Sequence, residues 1–510
     1  MATDDLNAQA INRVINVSRH RPHPWSTVHD YTSWTSLTDQ RWSARHLPAK
    51  KATNLPKTGD VLELFKQQNG NPRFCPKSTL LFPAFAQYLT DGFIRTRMPE
   101  TGEPEEVRLQ NTSNHQIDMC PLYGRLPKQT DALRLKSEIA GERGRLKSQF
   151  IGGEEFSPFL FHNGKVKEEF AGLDKPLGLD SILDNTPNPE ELRALIFAFG
   201  GDRTNAVPQV AMMNTLFLRE HNRLAGEIEQ SHPQWNDERV FQTARNNVIV
   251  LFIKIVVEEY INHISPLGIY RLDPSVAWDA PWNKPNWITA EFSLLYRWHS
   301  LVPNTITWNG RDCAVETAFM NNKLLLDAGL RRAFTGISGQ RAGWLGPFNT
   351  PEPLLDLETR AIDQGRLLDL APYTDYREYV SLSRPQDFDD VSKDARVVDF
   401  LGNTYGRVED IEFYVGLFSE DLVPDSPLPP LMLRMVGVDA FSQALTNPLL
   451  SKYVYNEETF SAPGWNAIHS TARLTDIVDR NTRPDSLGDL HIGLTLQDWK
   501  PTVEVTAREG

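Results

Sequence analysis

A tyrosine and a histidine stand three residues apart in the apolar segment EFSLLYRWHSLVPN, residues 291–304. If this segment is helical, Tyr296 and His299 share one face, because positions i and i+3 are neighbours on a helix. A metal bound by His299 would then lie within reach of a phenol that can be oxidised. A buried histidine ligand needs apolar surroundings and a group that orients its ring. The segment supplies the apolar part, with Trp298 beside the histidine. Two interpretations are therefore open: a metal ligand next to an oxidisable phenol, or a histidine that only packs in the core.

A second histidine, His221, lies in a helical pattern, VAMMNTLFLREHNRLAGEIEQ. Its immediate neighbours are charged, and single histidines in such settings usually brace a helix. We therefore expect His221 to be structural.

Together these segments carry a resemblance. LFLREHNRLAGEIEQSHPQW followed by EFSLLYRWHSLVP resembles the animal-type haem peroxidase superfamily, and within it the branch of cyclooxygenases and fatty-acid dioxygenases. Five shorter segments also appear along the chain in the expected order: DYTSW, FAQYLTDGF, DMCPLYG, DIEFYVGLFSED and FSQALTNPLL. The likeness therefore runs from about residue 25 to residue 480. It implies one large, mainly α-helical haem peroxidase-like domain.

The resemblance also assigns roles. His299 resembles the family's proximal haem ligand, Trp298 belongs to the same cofactor-binding motif, and Tyr296 resembles the tyrosine whose radical takes a hydrogen atom from a fatty acid. The implied enzyme is a haem-dependent dioxygenase that converts an unsaturated fatty acid and O2 into a hydroperoxide. A haem cofactor supplies the oxidising power, and the protein supplies position.

The distal side departs from the family pattern of a glutamine followed four residues later by a histidine. Gln87 is present, but the histidine position is Asp91. An imidazole with a near-neutral pKa suits proton transfer to peroxide, whereas an exposed carboxylate, at about 4, does not. Burial can raise the pKa of a carboxyl group by a few units. Either the peroxide step is weakened, or Asp91 performs it.

Arg203, in GGDRTNAVP, matches the distal arginine of the superfamily's peroxidases. Its guanidinium would polarise a bound peroxide. An ordinary surface arginine is the alternative interpretation.

Two further family features are missing. The carboxylates that tether haem in mammalian peroxidases are replaced by Thr90 and Ala206, so we expect non-covalent haem b. The calcium loop keeps Asp118, but Gly92 and Cys120 occupy positions of lost ligands. Calcium requires six to eight oxygen ligands, so calcium is not expected.

Weaker matches concern the proximal ring and the substrate channel. Thr374 stands where the family's asparagine hydrogen-bonds the proximal histidine, and Ser442 resembles a channel serine of cyclooxygenases. Arg13 and Arg21 are candidates for binding the substrate carboxylate by rough position only.

Two other interpretations stay open. The first alternative is a haem peroxidase or radical oxidase acting on another small molecule, since a fold does not determine a function. The second is a non-catalytic haem-binding protein. Oxygen uptake with linoleate separates the dioxygenase from both.

Composition limits the remaining classes. The net charge of −13, with no basic stripe, argues against nucleic-acid binding. Three widely spaced cysteines form no CxxC pair, so neither zinc nor a disulfide framework is indicated. The N-terminus lacks the apolar core of a signal peptide, and no apolar run reaches the roughly 18 residues of a membrane span. We expect a cytoplasmic protein, with peripheral membrane contact open and its oligomeric state undetermined.

The elements that must position these residues are mostly helices. We predict a first core helix within 78–97, capped near Ser78 or Thr79. Long helices should lie on either side of SHPQW, the second with its cap at Asn236 or Asp237. A further buried helix should run through ITAEFSLLYRWHSLV. Residues 98–190 should be loops with short helices, and no convincing strands are expected. Residues 1–60 are interpreted as an arm on the body, and 61–510 as the helical domain.

Overall fold

Helices make up most of the regular structure in the computed structural model, which describes residues 3–17, 38–39, 41–97, 99–484 and 491–502. This confirms the predicted mainly α-helical class. The longer helices are Thr3–Ile15, Leu81–Asp91, Pro208–Ser231, Asp237–Ile255, Leu330–Ser338, Leu355–Leu367, Ala395–Tyr405, Pro430–Leu445, Glu457–Ser470 and Leu474–Asn481. Shorter helices are Thr58–Leu62, Cys120–Tyr123, Pro127–Leu133, Leu179–Leu183, Pro189–Ala194, Ser275–Trp278, Phe292–Leu295, Lys323–Ala328, Tyr373–Tyr379 and Phe413–Ser419.

Two long helices on either side of SHPQW form the centre, as their apolar periodicity predicts. Pro208–Ser231 packs against Asp237–Ile255, and both contact the Glu457–Ser470 helix. The second helix begins at the predicted cap, because the side chain of Asn236 accepts a hydrogen bond of 3.0 Å from the amide of Arg239.

The second central helix continues beyond Ile255 as a π-helical turn, Val256–Ile261, and a last turn, Asn262–Ile264. From Asp237 to Ile264 it is long and apolar enough to cross a membrane by length and composition alone. However, 78% of its most apolar window is buried inside the protein. That burial is typical of a core helix.

The first core helix begins later than predicted. Phe74–Thr79 is a strand paired with Arg341–Gly343, so the helix runs only from Leu81 to Asp91. Thr79 still contributes at the start of this helix, because the Thr79 hydroxyl oxygen accepts a hydrogen bond of 3.3 Å from the amide of Leu81. The pairing with residues 341–343 is a long-range contact that apolar periodicity does not reveal.

The predicted helix through ITAEFSLLYRWHSLV is wrong in its extent. Only Phe292–Leu295 is α-helical, and His299–Leu301 forms a 3₁₀ turn. Between them the chain leaves helical geometry, with φ −107° and ψ 23° at Tyr296. The turn lets the rings of Tyr296 and Trp298 stack with centroids 4.7 Å apart, whereas residues i and i+2 of a helix do not face each other.

Strands are few and short, and the sequence did not indicate them. Besides Phe74–Thr79 with Arg341–Gly343, the antiparallel pairs are Gln149–Ile151 with Glu154–Phe156, Phe161–His162 with Lys165–Val166, and Thr305–Trp308 with Arg311–Ala314. Apart from Phe74–Thr79, these strands have two to four residues and are too short to show an alternating pattern. Phe74–Thr79 has six residues, but its sequence FCPKST does not alternate apolar and polar residues. Two of these hairpins lie within 98–190, the region predicted to consist of loops and short helices.

The N-terminal residues form a helix, Thr3–Ile15. The interpretation of residues 1–60 as an arm on the body did not include this helix. Ile11 and Ile15 are buried, and the helix contacts the Pro430–Leu445 helix. A hydrogen bond of 2.7 Å from the indole of Trp282 to the side-chain oxygen of Asn12 ties it to the body. The division at residue 60 stays a prediction.

Candidate active site

Tyr296 stands at the turn between the Phe292–Leu295 helix and His299, so its phenol points into packed aromatic surroundings. Its ring lies 4.8 Å from that of Phe292 and stacks against Trp298. The hydroxyl oxygen is buried and has no hydrogen-bond partner among the described residues. Burial raises the pKa of Tyr296, so the group stays a neutral phenol that carries a transferable hydrogen.

A second phenol, Tyr260, adjoins Tyr296, and the sequence did not single it out. The two hydroxyls interact closely enough that Tyr260 lowers the pKa of Tyr296 against the larger effect of burial. Neither hydroxyl reaches hydrogen-bond geometry with any group in the described part of the chain. Tyr260 lies in the π-helical turn Val256–Ile261, and such turns are frequent at functional sites. No pattern in the sequence announces this turn.

Trp298 belongs to the apolar wall of the site. Its ring stacks against Phe82 at 5.3 Å as well as against Tyr296, and its indole N–H donates to the sulfur of Met432 at 3.1 Å. The side chain is 5% exposed. The structure therefore shows Trp298 holding the Tyr296 ring in place, and its contact with a cofactor remains a prediction.

His299 is paired with a carboxylate that the sequence interpretation missed. Its Nδ1 lies 3.1 Å from Oε1 of Glu358, although the angle falls outside hydrogen-bond limits. This pairing leaves Nε2 as the nitrogen available to a metal. The expectation that Thr374 partners the ring is wrong, because the Thr374 hydroxyl is buried and forms no hydrogen bond to any residue described. Glu358 is far from His299 in sequence, so nothing local signalled it.

Asp91 and Arg203, two of the candidate distal residues, are in contact. Asp91 ends the Leu81–Asp91 helix, with Gln87 one turn before it on the same face. Oδ1 of Asp91 lies 3.2 Å from Nε of Arg203. Arg203 also donates a hydrogen bond to the carbonyl of Ile94. Arg203 is therefore not an isolated surface arginine but the ionic partner of the residue that replaces the family's histidine.

The environment of Asp91 changes its acidity. Burial raises the pKa of Asp91 to about 6, against the opposing effect of the Arg203 charge. Its other oxygen, Oδ2, is buried without a hydrogen-bond partner in the described ranges. At neutral pH the group is mostly an ionised carboxylate that can accept a proton.

Arg297 links the two sides of the site. It is the residue between Tyr296 and Trp298, and burial together with the charge of Arg203 lowers its pKa. Tyr414, Glu358 and Asp91 also act on this guanidinium and partly oppose the decrease in its pKa. The proximal carboxylate and the distal pair thus lie around one common region.

Comparison with known proteins decides the family. The animal haem peroxidase family matches residues 76–488 of this chain. The chain belongs to the animal haem peroxidase family. Prostaglandin G/H synthase 2 of Equus caballus is 28% identical over 494 residues, which cover 93% of this chain and 77% of that protein. Prostaglandin G/H synthase 1 of Mus musculus is 29% identical over 479 residues, covering 91% and 74%.

Solved structures show the same fold. Peroxidase A from Dictyostelium discoideum superposes with a TM-score of 0.71 at 20% identity, covering 90% of this chain and 95% of that one. Fatty acid alpha-dioxygenase of Oryza sativa gives 0.71 at 16% identity, covering 93% and 90%. The family match and the prostaglandin G/H synthase relatives confirm the predicted branch of the haem peroxidase family, and the chain is a haem-dependent oxidoreductase.

The side chains at the Tyr296–His299 turn fit the haem that the family implies. The Nδ1 edge of His299 faces Glu358, which leaves Nε2 for iron, as metal-bound histidines require. Asp91 Oδ2, in the candidate distal group, is a buried polar atom that no described residue bonds. Thr90, at one position of a family tether, instead donates its hydroxyl proton to the carbonyl of Ala86 at 3.0 Å.

The weaker candidates fare unevenly. The hydroxyl oxygen of Ser442 is buried and finds no hydrogen-bond partner within the described residues, and its place in a substrate channel stays a prediction. Arg13 is exposed in the last turn of the Thr3–Ile15 helix. Arg21 lies outside the described residues. Asp118 accepts hydrogen bonds from Asn114 and from the backbone of Cys120, and the expectation of no calcium stays a prediction.

His221 has the structural environment that its sequence setting predicted. Its Nδ1 lies 2.9 Å from the hydroxyl of Tyr123, and its Nε2 lies 2.8 Å from the carbonyl of Gly144. Because a carbonyl only accepts, Nε2 carries the proton and Nδ1 accepts from Tyr123. Burial lowers the pKa of His221 to about 3.

This pairing predicts a specific loss of stability in acid. The folded state holds His221 neutral, while the unfolded chain protonates it below about 6.5. Its contribution is complete above that pH and is lost as the pH falls towards about 3. At pH 5 the loss is about 2 kcal/mol. Urea unfolding at pH 8 and pH 5 gives the free energy of unfolding of the wild type and of His221→Gln. Between these pH values it should fall by about this amount less in the variant than in the wild type. Equal declines would contradict the assignment.

Proposed function

We propose that this enzyme is a haem-dependent fatty-acid dioxygenase in which a Tyr296 radical removes a hydrogen atom from an unsaturated fatty acid. The observation that carries the proposal is the turn that joins Tyr296 to His299. It places a buried phenol, free of hydrogen-bond partners among the described residues, three positions from the residue best placed to bind iron. The names of the relatives, prostaglandin synthases and fatty acid alpha-dioxygenase, support the substrate class.

The chain's own residues account for the proposed reaction. Bound haem supplies the oxidising power that converts a phenol to a phenoxyl radical. The Tyr296 oxygen then takes a hydrogen atom from the fatty acid, and O2 adds to the resulting carbon radical. Tyr296 returns the hydrogen atom to the peroxyl group, which yields the hydroperoxide and regenerates the phenoxyl. The sum is one fatty acid and one O2 giving one hydroperoxide.

His299 would hold the haem iron through Nε2, and non-covalent haem b is part of the proposal. Asp91 and Arg203 would activate the peroxide that starts the reaction. The carboxylate would accept its proton, and the guanidinium would polarise it as a fixed positive charge. Gln87, one turn before Asp91, would contact the same ligand.

A haem peroxidase acting on another small molecule is the second candidate. The observation that favours it is the ionic pair of Asp91 and Arg203, which requires no fatty acid to function. Oxygen consumption separates the two, because a dioxygenase takes up O2 with linoleate and a peroxidase oxidises a dye with peroxide without such uptake.

The first test combines a visible spectrum with an oxygen electrode. The purified protein should show a haem Soret band and consume O2 with linoleate, and His299→Ala should lose or strongly perturb the band because it removes the iron ligand. The matched control is His221→Ala, which removes a buried histidine elsewhere. Acid–acetone should extract the haem, since Thr90 and Ala206 cannot form ester links. A normal Soret band in His299→Ala, with loss in His221→Ala, would overturn the ligand assignment.

A further inference from the structure

Glu358 occupies an unusual position for a carboxylate. It lies in the first turn of the Leu355–Leu367 helix, where the positive end of the helix dipole favours a negative charge. Its side chain is buried, with the residue 1% exposed. A carboxylate so enclosed is costly unless several donors satisfy it.

Both carboxylate oxygens have defined partners. Oε1 accepts a hydrogen bond of 2.9 Å from the hydroxyl of Thr350 and lies 3.1 Å from Nδ1 of His299. Oε2 accepts a hydrogen bond from the hydroxyl of Tyr414. Thr350 and Tyr414 are themselves buried. The carboxylate is therefore held by two hydroxyl groups while one oxygen faces the histidine ring.

The chemistry of the histidine explains the third contact. When Nε2 binds a metal, the neutral ring carries its proton on Nδ1, and this N–H needs an acceptor. A carboxylate accepts more strongly than a neutral amide or hydroxyl. At 3.1 Å, the charge of Oε1 attracts the Nδ1 proton electrostatically even though the angle lies outside hydrogen-bond limits, and this leaves more electron density on Nε2.

We propose that Glu358 is a positioning residue that orients the His299 ring and strengthens its bond to haem iron. The inference rests on the proposed haem site, but it does not depend on the substrate. Through His299, the carboxylate favours the more highly charged, ferric state of the iron, so the reduction potential is lower than it would be with a neutral partner.

The test compares Glu358→Gln with the wild type as holoenzymes. Glutamine keeps the shape of the side chain and removes its charge. We expect a higher reduction potential, a lower iron–histidine stretching frequency in the ferrous protein, and loss of haem to an excess of a haem-accepting protein that is about 10–100-fold faster. None of these readouts depends on turnover.

A matched control removes a different buried carboxylate. Glu420 accepts a hydrogen bond of 2.7 Å from the hydroxyl of Tyr373, much as Glu358 does from Tyr414, but its ionic partner is Arg377 rather than His299. Glu420→Gln should leave the potential and the stretching frequency at wild-type values. A shift as large as that of Glu358→Gln would mean that the effect comes from general loosening, and would overturn the proposal.

Tyr414→Phe provides a second, milder variant. It removes one of the two hydroxyls that hold Glu358, so the carboxylate is oriented less firmly towards the His299 ring and haem release should be faster by a smaller factor. It also decides the matter if Glu358→Gln does not fold. Unchanged potential and haem release in a folded Glu358→Gln would overturn the role of Glu358. Where only Tyr414→Phe folds, unchanged haem release in that variant would overturn it. A wild-type protein that binds no haem would instead contradict the proposed function.

Discussion

Replacing Tyr296 by phenylalanine should reduce oxygen insertion to the level of the haem-free protein while leaving haem binding unchanged. The substitution removes only the phenolic oxygen and its hydrogen. That oxygen has no hydrogen-bond partner in the part of the chain that is described, so the substitution loses only its close approach to the Tyr260 hydroxyl. The ring remains to stack on Trp298 and Phe292. The expected loss therefore reports on hydrogen transfer rather than on folding.

Tyr260→Phe is the matched control, because it removes the adjoining phenol without altering the turn that leads to His299. It should keep oxygenation measurable, since hydrogen abstraction is assigned to Tyr296. Electron paramagnetic resonance after rapid freezing should detect a tyrosyl radical in the wild type and none in Tyr296→Phe. Wild-type oxygen uptake by Tyr296→Phe would rule out the radical mechanism and favour the peroxidase.

The elements that could be predicted are those whose signals are local. Pro208–Ser231 and Asp237–Ile255 repeat apolar residues at helical spacing over long stretches, and Asn236 is a favoured cap type. The motif at Tyr296 and His299 was likewise readable, because both residues stand in one short segment. Such features require no knowledge of what packs against them.

The parts that could not be predicted depend on contacts between distant segments. The apolar run around Tyr296 looks helical, but stacking of Trp298 on Tyr296 and Phe82 accompanies a turn there. Glu358 reaches His299 from another helix, and a carboxylate in an ordinary amphipathic pattern gives no sign of that. The family pattern instead directed attention to Thr374, whose hydroxyl does not serve the ring.

Asp91 lies between these cases. The sequence showed that a carboxylate replaces the family's distal histidine, and it left open whether that carboxylate works. Its raised pKa results from burial, and its contact with Arg203 results from the fold. The structure thus turns the question into one of acid–base chemistry that substitution can answer.

Asp91→Asn should lower peroxide turnover at pH 7 to 8 by a measurable part of the roughly 10²–10⁴-fold that an acid–base group contributes. Asparagine keeps the size of the side chain and cannot accept the peroxide proton. In the wild type, Asp91 acts as a base only when ionised, so turnover should rise as the pH increases through about 6. The variant should lack that rise. Stopped-flow measurement of peroxide reduction across this pH range, with haem content checked, tests both expectations.

Asp91→His restores the family's residue and should raise peroxide turnover above the wild type. Its imidazole has an ordinary pKa of about 6.5, and the neighbouring positive charge of Arg203 favours the neutral, proton-accepting form. An unchanged rate in Asp91→Asn would make the carboxylate a bystander. If Asp91→Asn loses activity while Asp91→His is no faster than wild type with haem bound, the distal site is built around the carboxylate. Peroxide activation would then depend on the Asp91–Arg203 pair itself. In that pair Oδ1 faces Arg203, while Oδ2 has no hydrogen-bond partner among the described residues and can accept the proton. An imidazole at that position could not reproduce this geometry.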